Sequence, residues 1–152
     1  MKDHMIALNI LAKLREQMIY LIDKILQENN TFEIVEILFR IQNKMKTVKI
    51  KENDNENFDT SYTVNKGDEI IICLRSKINN KIHNFNQLIY IMIHEISHIG
   101  SLEIGHTRLF FNINKFLLKK AIKYNIYKYK NYKKIPIKYC GIVINNNILN
   151  DI

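Results

Sequence analysis

The chain has 152 residues, 47% hydrophobic and 25% charged, and a formal net charge of +8. That length can bury a core as one domain spanning 1–152, and the balance excludes a disordered or low-complexity protein. Two cysteines are too few for a disulfide framework, so Cys73 and Cys140 are expected as buried thiols in a reducing, intracellular setting.

The first 28 residues carry Ile6, Ile10, Leu14, Met18, Leu21 and Ile25 at helical spacing. Lys13, Arg15 and Glu16 interrupt the apolar run too early for a membrane span, and no secretory leader is expected. Thr31 is placed to cap a second helix to about Met45, with Ile34, Ile37, Leu38 and Ile41 facing inward. The alternating, β-branched "KTVKIKE" predicts a strand, followed by an acidic, Asn-rich loop from Asn53 to Asp59. "TSYTVNKGDEIIICLRS" reads as two strands around an Asn-Lys-Gly turn in which Gly67 supplies positive φ. Four apolar residues in a row make the second of these a strand covered on both faces.

Asn84 or Asn86 can cap a helix over "NQLIYIMIHEISHIG" to about Ile99, where Gly100 fits a stop. Thr107 can cap another from Arg108 to about Tyr124, with Phe110, Ile113, Leu117 and Ala121 on its apolar side. "CGIVI" in the Tyr- and Lys-rich tail reads as a last strand. The expected fold is α+β: two N-terminal helices, a sheet of about three to four strands, then two further helices.

Costly polar groups crowd the most apolar of these helices. His94 and His98 stand four residues apart, so both rings leave one helix face about a turn apart and can aim nitrogens at one ion. Glu95 completes His94-Glu95-Ile96-Ser97-His98, an H-E-x-x-H motif whose carboxylate acts on an activated water as general base. A third ligand is required if one position is to stay open for solvent. His106, preceded by Gly105 and opening the next helix, is preferred, and Glu103 is its competitor.

"HEISHIGSLEIGHTRLF" resembles the active site of WLM-type metallopeptidases, relatives of the SprT-like proteases that degrade proteins crosslinked to DNA. The matching residues are His94, Glu95, His98, Gly105, His106 and Phe110. "TSYTVNKGDEIIICLRSK" and "IKYCG" also resemble compact metallopeptidase-like proteins of large DNA viruses, so the likeness spans about Thr60 to Gly141. Seven residues separate His98 from His106, more than the usual WLM spacing. The resemblance implies a zincin-like fold, one Zn²⁺ per chain held by His94, His98 and His106, and peptide-bond hydrolysis with Glu95 as general base. It implies that substrate lies as an added strand beside the sheet. An oxyanion donor is expected too, with Tyr139, Tyr132 and Tyr90 as candidates.

The charge is uneven: beyond His106 Asp151 is the only acid, against Arg108 and nine lysines from Lys115 to Lys138. Arg108, Lys115, Lys119 and Lys123 form a stripe along one helix, with Tyr124, Tyr127, Tyr129 and Tyr132 nearby. Basic and aromatic groups so interleaved suit single-stranded DNA or DNA–protein complexes as partners. His83 is expected in solvent, His4 uninvolved and Ser97 without a nucleophilic role. Two rivals to a protease stand: a zinc-containing binding module without catalysis, and a metal-dependent hydrolase of a non-protein substrate.

Overall fold

The computed structural model describes residues 2–53, 61–76, 78–140 and 142–145. Helix α1 (Lys2–Leu26) packs against α2 (Phe32–Met45), and strand β1 (Lys49–Glu52) follows. A hairpin, β2 (Tyr62–Val64) and β3 (Glu69–Ile72), leads into helices α3 (Phe85–Gly100) and α4 (Arg108–Lys123). A second hairpin, β4 (Ile137–Tyr139) and β5 (Ile142–Ile144), completes the described chain. The predicted acidic loop lies, past Asn53, outside the described residues.

Helix starts follow the expected caps. Thr31 accepts from the Ile34 amide, Asn84 from that of Asn86, and Thr107 from that of Phe110. Each supplies an oxygen to an amide that the first helical turn cannot satisfy by itself. The inward face of α1 is slightly rotated from the predicted stripe: Ala7, Leu11, Leu14, Met18, Leu21 and Ile25 are buried, whereas Ile6 is exposed. Phe110, Ile113, Leu117 and Ala121 of α4 are all buried, as their spacing requires.

Helix α3 is the hub. Leu88, Ile89, Met92, Ile93 and Ile96 are inaccessible to solvent because α1, α2, α4 and the first hairpin all pack on it. A helix apolar all round can exist in water only when enclosed in this way. Gly100 stays inside the helix instead of terminating it: a Cβ there would lie 3.0 Å from both Ile37 Cγ2 and Ile41 Cδ1. Its service is close approach to α2.

The sheet order is β1-β3-β2, with β1 parallel and β2 antiparallel to β3. Ile70, Ile71 and Ile72 are buried because β3 lies between the other two strands and under the helices. Asn65, Lys66 and Gly67 all take positive φ at the hairpin turn, the backbone that a right-twisted hairpin needs. The strand expected from "KTVKIKE" begins only at Lys49, because Lys46 caps α2. The predicted last strand joins its own two-stranded ribbon with β4 and leaves the main sheet at three strands. Among the described residues β3 is the one strand that pairs with β2, which closes the sheet order on that side.

Candidate metal centre

Helical periodicity brings His94 and His98 to one face of α3, with ring centroids 5.1 Å apart. The loop 101–107 then returns the chain so that His106, just ahead of α4, faces both. One ligand nitrogen from each of the three lies within 4.8 Å of the others, a set that could hold a metal ion. His98 Nε2 and His106 Nε2 are 3.2 Å apart. Two nitrogens roughly 2.1 Å from a tetrahedral ion sit about 3.4 Å apart, so the donor set fits one. The carboxylate of Glu103, the competing ligand, is exposed and stands outside this cluster.

Phe110, fully buried, forms the floor. Its ring touches all three imidazoles, stacking on His98 at 4.3 Å and meeting His94 and His106 at 4.9 Å. Burial and the neighbouring rings hold His94 down at about 3, and burial, His106 and Lys66 hold His98 at about 4. Both rings are therefore neutral at physiological pH, with lone pairs free for a ligand role.

Glu95 lines the same cleft, an open cavity of about 700 Å³, and is only 3% exposed. Thr63 Oγ1 donates to Glu95 Oε1 at 2.9 Å across from β2. Burial raises the carboxyl to about 7, against the lowering effect of the Thr63 hydrogen bond. Ser61, Tyr62 and Thr63 form one wall, and Tyr139, Ile142, Val143 and Ile144 form another.

Lys66, at the tip of the first hairpin, organises the way to His106. Its Nζ donates to the carbonyls of His98 at 3.1 Å, Ser101 at 2.8 Å and Glu103 at 2.5 Å. Arg40 of α2 donates to the Gly100 carbonyl at 2.9 Å. Two cations thus satisfy the bare carbonyls of the C-terminus of α3, where the helix dipole favours positive charge.

The remaining site candidates divide. Tyr139 reaches the cleft, but its hydroxyl donates to the Cys73 carbonyl at 2.7 Å and lies 2.5 Å from Ser61 Oγ. Tyr90 also lines the cleft and packs edge to face with Tyr132, which does not, in a buried cluster with Tyr127. Tyr127 and Tyr132 therefore present no faces for base stacking, contrary to expectation, whereas Tyr129 is exposed. Arg108 and Lys119 are exposed, Lys115 is half-buried, and Lys123 pairs with Glu28.

The cysteines depart from expectation. Cys73, just past β3, and Cys140, in the turn between β4 and β5, are joined as a disulfide across 67 residues of sequence. Counting cysteines cannot reveal a pair that only the tertiary fold brings together. His83 is also not solvated: it is half-buried, its ring 4.8 Å from that of Tyr139, and burial lowers its pKa. Thr63 and Lys66 had no local signal, since each acts on a helix more than thirty residues away.

No helix among the described residues is long and apolar enough to cross a membrane. No family model matches the chain, and no solved structure does. Among curated proteins it is 39% identical over 136 residues to "Uncharacterized protein R325" of Acanthamoeba polyphaga mimivirus, covering 88% of this chain and 69% of that protein. It is 33% identical over 88 residues to "Uncharacterized protein 136R" of Invertebrate iridescent virus 6, covering 57% of this chain and 46% of the relative. It is 35% identical over 83 residues to "Uncharacterized protein 042R" of Invertebrate iridescent virus 3, covering 54% and 50%. Homology to proteins of two groups of large DNA viruses, most extensive with the first, makes this chain a member of the family that includes mimivirus protein R325.

Proposed function

We propose that the protein is a zinc-dependent endopeptidase of WLM type, built on a zincin-like domain. The observation that supports this best is the coexistence of two features in one cleft: three converging imidazoles, and a separate buried carboxyl raised to about 7. A site that only held a structural ion would have no use for the second.

His94, His98 and His106 would hold the ion. When bound, zinc supplies Lewis acidity and a water of lowered pKa. Glu95, poised near neutrality, takes the proton of the attacking water and passes it to the leaving amine. Thr63 holds Oε1, which orients the carboxyl and leaves its other oxygen for the proton. A peptide laid along the Ser61–Thr63 wall of the cleft as an added strand would pass beside the imidazoles. Tyr139 is the oxyanion donor on offer, and to serve it must release the Cys73 carbonyl.

The basic stripe of Arg108, Lys115, Lys119 and Lys123 extends this reading to DNA-associated proteins as substrates. The same stripe favours the alternative, a non-catalytic zinc-containing module that binds nucleic acid or protein. One pair of measurements separates the two: zinc content by elemental analysis, and cleavage of a DNA-binding protein with and without single-stranded DNA at low salt. Glu95→Gln should keep one zinc at the three-histidine centre and lose cleavage. Wild-type-like cleavage by that variant would remove Glu95 from the chemistry, and a wild type without cleavage would leave the binding module.

A further inference from the structure

The Cys73–Cys140 pair has a third member. His83, from the loop before α3, places Nε2 3.2 Å from Cys140 Sγ. The ligand atoms of Cys73, His83 and Cys140 all lie within 4.8 Å of one another, on three segments that meet only in the folded chain. A disulfide by itself requires no imidazole at its side. The Arg75 carbonyl lies 3.4 Å from each sulfur, an acceptor that a thiol can use and a disulfide cannot. Cys140 also holds a φ of +43°, where glycine would sit without steric cost. The backbone there tolerates strain that presents a sulfur to the other two groups.

We propose that Cys73, His83 and Cys140 form a second, redox-gated metal site, distinct from the three-histidine centre, that takes zinc or a similar thiophilic cation when the disulfide is reduced. Two thiolates and one imidazole are a zinc-type donor set, and a fourth position remains for solvent. Two electrons from a dithiol or a glutathione-type thiol cleave the sulfur–sulfur bond, giving two thiols and the oxidised, disulfide form of the reductant. As the cation binds, each thiol releases its proton to solvent. A small-molecule disulfide of the oxidised-glutathione type reverses this by thiol–disulfide exchange: it takes up the two electrons and two protons from solvent as it becomes two thiols, the cation leaves, and the Cys73–Cys140 bond re-forms. Either linkage ties the β4–β5 turn to the end of β3, so the wall formed by Tyr139 and Ile142–Ile144 is held in both redox states.

The test uses Co²⁺ as the probe on the full chain, stripped of metal and prepared oxidised or reduced, with thiols counted chemically. Thiolate ligation gives an intense sulfur-to-cobalt charge-transfer band in the near ultraviolet that three imidazoles cannot produce. The reduced chain should show this band and bind one more Co²⁺ than the oxidised chain. His98→Ala should keep the band, Cys73→Ser should lose it, and His83→Ala should weaken Co²⁺ binding at this site by about 10-fold or more. A reduced wild-type chain with free thiols, no band and the metal count of the oxidised form would overturn the proposal, and needs no variant to fold.

Discussion

Thr63→Val replaces a hydroxyl by a methyl of similar shape and removes the one hydrogen bond from β2 to Glu95 Oε1, 2.9 Å long. The carboxyl is 3% exposed, so water cannot readily replace the lost donor. A hydrogen bond to an ionised group contributes about 1.5–3 kcal/mol, and one pKa unit corresponds to about 1.4 kcal/mol. The Glu95 carboxyl, raised by burial to about 7, should therefore titrate roughly one to two units higher in the variant. Carbon NMR of the glutamate carboxyl in the metal-free chain reads this directly, without any assumption about substrate. In an assay of peptide hydrolysis, the acid limb of the pH–rate profile should move in the same direction. An unchanged or lower midpoint in Thr63→Val would refute the idea that this hydroxyl stabilises the ionised form.

Zinc at about 100 times its dissociation constant should stabilise the chain by about 2.7 kcal/mol. For a domain of this size that is a rise of very roughly 5–10 °C in Tm by calorimetry, and His98→Ala should abolish the rise due to the three-histidine centre. Gly100→Ala gains about 1 kcal/mol of helix propensity but drives a methyl to 3.0 Å from Ile37 and Ile41, an overpacking worth about 1–3 kcal/mol. A net loss of about 1 kcal/mol in urea denaturation is expected. In the metal-free chain, His94 and His98 lie well below their ordinary 6.5 and Glu95 lies above its ordinary 4.5. Between about pH 4.5 and 6.5 the unfolded state gains protons at two histidines while the folded state keeps one at Glu95. Stability should therefore rise with pH across that window. From 6.5 to about 7 the two unfolded-state histidines are still losing protons and nearly offset the loss at Glu95, so stability should level off; denaturation midpoints measured from pH 4 to 8 would expose a wrong sign.

Much of this site could be read before the fold was known, because its first residues obey a local rule. His94, Glu95 and His98 lie on a single helix, where a spacing of four fixes which rings share a face. Thr107 marked the start of α4, and His106 beside it was within reach of a short return loop. Thr63, Lys66 and His83 are of another kind. Each gains its role from a partner on another segment, and a lone Thr, Lys or His in a polar stretch carries no mark of that. The stacking tyrosines failed for a related reason: proximity in sequence to lysines does not tell which side of the chain the core will claim, and Tyr127 and Tyr132 went inside.

Lys66 bears on the longer spacing between His98 and His106. Its ammonium clasps the carbonyls of His98, Ser101 and Glu103, so the direction in which the chain leaves α3 is set from the turn of the first hairpin. Within the bend Ser101 Oγ exchanges hydrogen bonds with the Glu103 backbone, while Leu102 and Ile104 point out into water. Extra residues beyond Glu103 leave those three anchors as they are, so a longer run to the third ring need not alter the exit from α3.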